Sequence, residues 1–183
     1  MTYTIDIAGM KRDLPICPVT PDLSIGAFVM FGDVEITEHA AKELLARAPE
    51  FDYIAAPEAK AIPLAYEMSR QSGVQYLLAR KSPKAYMSGV FEVHVQSITT
   101  FGVQTLVIDT ADAEKMKGKR ILIVDDVIST GESLRAMEEL VNKAGGNIVA
   151  KMAVLAEGDA INRPDITVLA PLPVFNPDGT VKE

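Results

Sequence analysis

The stretch "ILIVDDVISTGES" occupies residues 121–133 and determines how the surrounding chain is expected to fold. Four aliphatic residues lead directly into two aspartates, Asp125 and Asp126, and a short segment of hydroxyl residues with one glycine follows. An unbroken aliphatic run is typical of a strand that is buried on both faces of a parallel sheet. Because ligands of open α/β sheets bind beyond the carboxyl ends of the strands, we expect the two carboxylates to lie at a binding site.

The residues that follow the aspartates predict an anion-binding loop. They are small or carry hydroxyls, and a helix with one apolar face is predicted from Thr130 to Ala144. Backbone N–H groups at the start of a helix bind phosphate well, and carboxylates accept hydrogen bonds from sugar hydroxyls. A phosphorylated sugar would therefore satisfy both halves of the segment. The competing interpretation is that Asp125, Asp126 and Ser129 are only caps and turn formers, but the complete string favours a binding site.

The rest of the chain alternates between apolar strands and amphipathic helices. Helices are predicted over 38–48, with Thr37 as the N-cap, and over 61–72, ended by Gly73. Strands are predicted over 53–56, 74–80, 120–125, 148–157 and 166–171. This order is typical of an α/β domain with a mainly parallel central sheet flanked by helices.

Composition narrows the classes of protein to which the chain can belong. Its 183 residues predict one domain, residues 1–183. A net charge of -7 argues against a general nucleic-acid surface, which is usually basic. Cys17 is the only cysteine, so an intrachain disulfide is excluded and a reducing, cytoplasmic location is expected. The sequence shows no signal-peptide pattern and no run of 18 apolar residues, so we expect no membrane association.

The segment 81–104 interrupts the regular alternation. Residues 90–95 alternate between apolar and polar side chains, which predicts a hairpin or an extended flap. Long excursions of this kind in compact domains often act as lids over a site, and an ordinary β excursion is the open alternative.

The string "VDDVISTGES" resembles the phosphoribosyl-pyrophosphate (PRPP) motif of the type I phosphoribosyltransferases. The resemblance implies that Asp125 and Asp126 bind the ribose hydroxyls, serve catalysis, and contact a Mg²⁺ ion directly or indirectly. It also implies a loop that binds the 5′-phosphate, formed by Ser129, Thr130, Gly131, Glu132 and Ser133.

Two further segments resemble the pyrophosphate-binding parts of that family. "APEAKAIPLA", residues 56–65, is similar to the pyrophosphate loop of the purine members, with Lys60 at the position of an arginine and Ala61 at that of a glycine. Lysine cannot form the two-pronged contact of a guanidinium, so main-chain N–H groups should carry more of the binding. "LLARKSPK", residues 77–84, resembles the strand that ends in Arg-Lys and opens the flexible loop. The implied pyrophosphate residues are Glu58, Ala59, Lys60, Arg80, Lys81 and Lys84, and Lys84 is also implied in catalysis.

The resemblance extends over residues 28–172 and is strongest to the adenine and xanthine phosphoribosyltransferases and to the purine-sensing domain of purine repressors. It implies the type I phosphoribosyltransferase fold, with a flexible β flap over about 81–104 and a small hood built from 1–35 and 155–183. The implied base-contacting residues are Phe28, Val29, Phe31 and Val127. Adenine enzymes carry a flap glutamate that helps to protonate the purine, and Thr100 stands at its position. Glu92 and His94 are the candidates to replace it.

The resemblance therefore implies an enzyme of purine salvage that joins a base to PRPP with the help of Mg²⁺. Adenine is the first choice of base, and xanthine or guanine is the alternative. A non-catalytic sensor of PRPP or nucleotides is the alternative from another functional class. The implied partners are PRPP and a purine, in a homodimer, with neither nucleic acid nor membrane.

Overall fold

The computed structural model describes residues 1–96 and 103–182. In chain order, the strands in this part are β1 (Thr2–Ile7), β2 (Met10–Thr20), β3 (Leu23–Gly26), β4 (Tyr53–Pro57), β5 (Tyr76–Ala79), β6 (Val90–Gln96), β7 (Val103–Asp109), β8 (Arg120–Ile128), β9 (Asn147–Glu157), β10 (Thr167–Leu172) and β11 (Val174–Phe175). The helices are α1 (Val34–Leu45), α2 (Ile62–Ser72), α3 (Thr110–Met116) and α4 (Glu132–Lys143), with a 3₁₀ helix over Gly158–Asn162.

A five-stranded parallel sheet forms the centre of the molecule, in the order β10-β9-β8-β4-β5. The aliphatic run of β8 alternates between the two faces of this sheet. Leu122 and Val124 join the core beneath α1 and α2, whereas Ile121 and Ile123 join the core beneath α3 and α4. This arrangement confirms the predicted α/β fold with a parallel sheet flanked by helices.

A second, four-stranded sheet brings the two ends of the chain together. Its order is β1-β2-β3-β11, so the short C-terminal strand Val174–Phe175 completes a sheet of N-terminal strands. The predicted hood of residues 1–35 and 155–183 therefore needs correction at its C-terminal part. The strand β10 belongs to the central sheet, because its backbone pairs in parallel with β9 from Thr167 to Leu172.

The predicted flap contains an antiparallel hairpin. The strand β6 pairs with β7, with Val93 opposite Leu106 and His94 opposite Thr105. Val93, Val95, Leu106 and Ile108 are buried in the core beneath α3 and α4, so this face anchors the hairpin. The strand β7 and the helix α3 were not predicted, and β7 continues to Asp109, beyond the expected end at 104. Thr100 lies outside the described residues.

Two predicted helix starts are wrong. Helix α1 begins at Val34, and its N-cap is Asp33, whose carboxylate accepts a hydrogen bond from Ile36 N at 3.1 Å. Thr37 instead donates its hydroxyl to Asp33 O at 2.7 Å, within the first turn. Helix α4 begins at Glu132 and not at Thr130, because Gly131 adopts a left-handed conformation with φ of 79°. Within the described residues, no helix is both long and apolar enough to cross a membrane.

Asp33 links the loop before α1 to the hood. Its carboxylate caps α1 and receives a two-pronged contact from Arg12 of β2, at 2.7 Å and 3.0 Å. We expect Asp33→Ala to lower the free energy of unfolding by about 1–2 kcal/mol, because it removes the cap as well as this ion pair. Asp33→Asn keeps an oxygen for the cap and should lose less. Urea unfolding of the two variants measures the difference, and an Asp33→Ala protein as stable as wild type would contradict this account.

The same pair predicts a pH dependence. Hydrogen bonding to Arg12 lowers the pKa of Asp33 from its ordinary 3.8. A carboxyl with a lowered pKa contributes stability that is complete above the ordinary pKa and is lost as pH falls through the lowered one. The stability advantage of wild type over Asp33→Asn should therefore hold at neutral pH and shrink below about pH 4. A pH-independent difference would show that the ion pair is not its source.

Candidate active site

The carboxyl ends of β4, β5 and β8 meet at one edge of the central sheet and surround a cavity of about 650 Å³. This volume is within the range of sites for small molecules. The lining residues come from the carboxyl ends of β4, β5 and β8, from the hairpin and from the first turn of α4. They are Pro57, Glu58, Ala59, Lys60, Lys81, Thr105, Leu106, Asp125, Asp126, Val127 and Ser133. The cavity thus brings together residues from the PRPP-like motif, from both segments that resemble pyrophosphate-binding parts, and from the hairpin.

Asp125 and Asp126 are buried side by side in the second half of β8, with 9% and 3% of their surface exposed. Strand pairing continues past them, since Val127 and Ile128 still pair with β9. Burial, followed by the neighbouring charge of Asp126, raises the pKa of Asp125 well above its usual range. Two adjacent buried carboxylates oppose folding unless a cation or a hydrogen-bond donor meets them.

Lys60 is the cation that pairs with Asp126. Its Nζ lies 2.8 Å from Asp126 Oδ2 and reaches across the cavity from the loop after β4. The angle of approach is outside hydrogen-bond geometry, so this buried oxygen has an ion-pair partner but no hydrogen bond among the described residues. Asp126 therefore keeps an acceptor available for a donor that enters the cavity.

Asp125 and Asp126 could bind a metal ion at this edge only together with a ligand that supplies most of the coordinating oxygens. Carboxylate oxygens are the ligands that Mg²⁺ prefers, and this ion usually combines one or two of them with phosphate oxygens and water. Among the described residues, no group of three or more His, Cys, Asp or Glu side chains could hold a metal ion. Asp125 and Asp126 would therefore contact a Mg²⁺ ion that a phosphorylated ligand carries, directly or through water.

Glu58 joins the ends of β4 and β5. One carboxylate oxygen accepts from Lys81 N at 2.8 Å and the other from Arg80 Nη1 at 3.0 Å. The pKa of Glu58 is lowered mainly by the hydrogen bond from the Lys81 backbone and, to a smaller extent, by the hydrogen bond from the Arg80 side chain. Since both oxygens are engaged inside the protein, Glu58 positions the Arg-Lys pair.

The predicted cations do not all reach the cavity. Lys60 and Lys81 line it, whereas Arg80 and Lys84 lie outside the lining. The Arg80 guanidinium lies over the ring of Tyr86, 5.7 Å from its centroid. Lys84 donates to Ser82 Oγ at 3.0 Å. Ala59 lines the cavity beside Lys60 and leaves the backbone of this loop accessible.

A smaller cavity of about 140 Å³ adjoins the first at the start of α4. Its lining consists of Asp125 and residues 127–134, so it includes all five residues of the predicted phosphate loop. Among the described residues, no side chain caps the N-terminus of α4, which leaves backbone N–H groups for an anion. The sequence prediction for this loop and the structure therefore agree on which residues lie together.

The predicted base-contacting residues are divided. Val127 lines the large cavity. Phe28 is buried in the core at 5% exposure, while Val29 and Phe31 are more than half exposed, and none of the three lines that cavity. The structure does not bring these three side chains to the two aspartates, because the loop before α1 packs Phe28 inward and directs its neighbours to solvent. Their contact with a base stays a prediction.

Thr105 is a cavity residue that the sequence analysis missed. Its hydroxyl lies 3.0 Å from His94 Nδ1 across the hairpin, and His94 Nε2 lies 3.4 Å from Glu92. A carboxylate, an imidazole and a hydroxyl are thus in successive contact, and Thr105 is one of the residues that line the cavity. The missing signal was the strand β7 itself, since its alternation would have placed Thr105 opposite His94.

Comparisons with known proteins agree with this geometry. The phosphoribosyl transferase domain family matches residues 33–170. An adenine phosphoribosyltransferase of a Thermotoga species is 36% identical over 162 residues, which cover 84% of this chain and 88% of that protein. A crystal structure of the Thermoanaerobacter pseudethanolicus adenine phosphoribosyltransferase superimposes with a TM-score of 0.64 at 22% identity, over 93% of this chain and 95% of that one.

A third relative was solved with ligands. The Trypanosoma brucei adenine phosphoribosyltransferase, in complex with AMP, pyrophosphate and ribose-5-phosphate, superimposes with a TM-score of 0.57 at 17% identity, over 75% of this chain and 64% of that one. The two superpositions match the fold, and the family match extends over most of the chain, including both cavities. This chain belongs to the phosphoribosyl transferase domain family, the type I phosphoribosyltransferases.

Proposed function

We propose that this protein is a purine phosphoribosyltransferase that joins adenine to PRPP and releases AMP and pyrophosphate. The observation that carries the proposal is the junction of the two cavities. One offers buried carboxylates and the other an uncapped helix N-terminus, and the two share Asp125, Val127 and Ser133. A sugar that carries a 5′-phosphate fits across this junction, and the names of the relatives support adenine as the acceptor.

The roles proposed for the residues follow from their positions. Asp125 and Asp126 accept hydrogen bonds from the ribose hydroxyls, and the N–H groups of residues 129–133 bind the 5′-phosphate. Lys60 and Lys81 lie on the side where the pyrophosphate would leave. A Mg²⁺ ion bound with PRPP would neutralise part of the pyrophosphate charge.

The proposed reaction breaks the bond between ribose C1 and a pyrophosphate oxygen and forms one between C1 and a base nitrogen. The base nitrogen loses its proton as this bond forms. Little covalent chemistry falls to the protein, so orientation of the two substrates and exclusion of water dominate. We propose that this proton passes to the Thr105 hydroxyl and from there to His94, which is also in contact with Glu92.

We also propose that the protein acts as a cytoplasmic homodimer. The support is an apolar groove at the starts of α1 and α2, where Val34 and Tyr66 are 67% and 57% exposed. Exposed apolar surface of this kind is typical of contact between protein chains. Sedimentation equilibrium of the purified chain measures the mass.

The assay that tests the function uses purified protein, PRPP, Mg²⁺ and one nucleobase at a time, with release of pyrophosphate as the readout. We expect turnover with adenine to exceed that with guanine, xanthine and hypoxanthine. Preference for xanthine or guanine would correct the acceptor and keep the reaction. Tight PRPP binding without turnover of any base would overturn the enzyme proposal and favour the sensor.

Replacing both aspartates tests the ribose site. In Asp125→Asn/Asp126→Asn we expect the KM for PRPP to rise by about a hundredfold or more, because two charge-assisted contacts are lost. The melting temperature should not fall, since two adjacent buried carboxylates oppose folding and amides do not. A wild-type KM in this variant would contradict the proposed role. A large fall in melting temperature would show that the pair is structural.

Replacing Lys60 tests whether this lysine binds the pyrophosphate and not the ribose phosphate. Lys60→Met should weaken product inhibition by pyrophosphate about tenfold, because one charged contact is lost. Lys60→Arg keeps the charge and should restore most of the affinity. Lys42→Met removes a lysine of α1 and serves as the matched control. An equal loss of affinity for pyrophosphate and ribose 5-phosphate in Lys60→Met would argue against a role specific to pyrophosphate.

A further inference from the structure

The loop that lines the smaller cavity has no cation of its own. Residues 129–133 read Ser-Thr-Gly-Glu-Ser, with one acid and no base. The buried carboxylate of Asp125 adds negative charge to the same lining. A phosphate monoester carries nearly two negative charges at neutral pH, so the backbone N–H groups of α4 would bind it against two nearby carboxylates. Positive charge is therefore needed from another part of the chain.

Arg163 supplies a cation at this loop. It follows the 3₁₀ helix that connects β9 to β10, thirty-two positions after Gly131 in the sequence. A Cβ atom built on Gly131 would lie 2.6 Å from Arg163 Nη1, so the guanidinium rests against the α-carbon of this glycine. Nε and Nη2 of the same group donate to Asp165 at 3.0 Å and 2.8 Å. Nη1 is thus the nitrogen that faces the loop.

A chain of ion pairs fixes this arginine relative to α4. Asp165 also pairs with Lys151 of β9, and Lys151 lies 2.6 Å from Glu138 of α4. The side chain of Lys151 is only 16% exposed, so water screens the chain of charges weakly at this point. The helix whose N-terminus faces the smaller cavity and the segment that carries Arg163 are therefore held together through four side chains of alternating charge.

Gly131 and Arg163 constrain each other. Gly131 has a φ of 79°, which side chains other than glycine adopt with strain, and the guanidinium occupies the space that a Cβ would need. Arg163 is not among the residues that line the smaller cavity, so it acts from behind the loop and not by touching a ligand.

We propose that Arg163 is a positioning residue for the phosphate loop: it holds Gly131 in place and turns Nη1, the positive end of its ion pair with Asp165, toward the loop that would bind the phosphate. The proposal rests on the proposed function and extends it, because it assigns the missing charge of the 5′-phosphate site to a residue outside the motif. The ligand class is a sugar phosphate, and pyrophosphate at the opposite end of the large cavity should be unaffected.

Calorimetric titration of the full chain with ribose 5-phosphate and, separately, with pyrophosphate tests the proposal. Arg163→Gln should weaken binding of ribose 5-phosphate by roughly ten- to a hundredfold, the range for loss of a residue that orients a binding group without touching the ligand. The affinity for pyrophosphate should change less than about threefold, within the additivity expected of separate sites. Arg163→Lys keeps the charge without the two-pronged contact to Asp165, and should lie between Arg163→Gln and wild type.

Arg70→Gln is the matched control, because Arg70 makes the same two-pronged contact with Glu67 on α2, on the opposite face of the sheet. Unchanged binding of ribose 5-phosphate in Arg163→Gln would overturn the proposal, and so would an equal loss for both ligands. Failure of the wild-type protein to bind ribose 5-phosphate or PRPP at all would instead overturn the proposed function. Selective loss in Arg163→Gln, with both ligands bound normally by Arg70→Gln, supports the positioning role.

Discussion

Two carboxylates buried side by side near the end of the central strand β8 are the constraint on which the rest of the site depends. Asp125 and Asp126 lie between β9 and β4, where water has little access, and their charges repel. Burial of this kind is unfavourable unless donors or cations compensate for lost hydration. The fold tolerates it because the aliphatic residues that precede them bury completely on both faces of the sheet. Burial of the two carboxylates lowers the free energy of unfolding. A ligand that brought hydroxyl donors to them would restore the lost hydrogen bonds and so bind more tightly.

The opposite wall of the cavity is built around a third acid with a different task. Glu58 directs both oxygens at the Arg80–Lys81 segment and stays ionised because those hydrogen bonds lower its pKa. Its charge is therefore satisfied within the protein and does not oppose an anionic ligand. The three acids at this edge of the sheet therefore differ in function. Asp125 and Asp126 can accept hydrogen bonds from a ligand, whereas Glu58 orients Arg80 and Lys81. The difference follows from which backbone and side-chain donors surround each of them.

The part of the site that could be predicted from sequence is the part that is contiguous in sequence. Strand β8, its aspartates and the loop before α4 follow one another within thirteen residues, so local pattern and chemistry were sufficient. Thr105 and Arg163 were missed for a different reason. Their roles arise from contacts with residues far along the chain or across a hairpin, and a local pattern contains no information about such contacts. The predicted cap of α1 was also wrong. The cap is Asp33 and not Thr37, and Arg12 of the hood donates hydrogen bonds to the Asp33 carboxylate.

The Lys60–Asp126 pair links the two ends of the proposed substrate. The cation proposed for the pyrophosphate neutralises an acid proposed for the ribose. PRPP carries both groups, so it can separate the pair and give each partner a replacement: phosphate oxygens for Lys60 and hydroxyl donors for Asp126. Either half of the substrate alone replaces one partner and leaves the other unpaired, and the cost is greatest for Asp126, whose side chain is 4% exposed against 52% for Lys60. The ion pair should therefore favour the intact substrate over its fragments, which is a selectivity that neither residue would provide by itself.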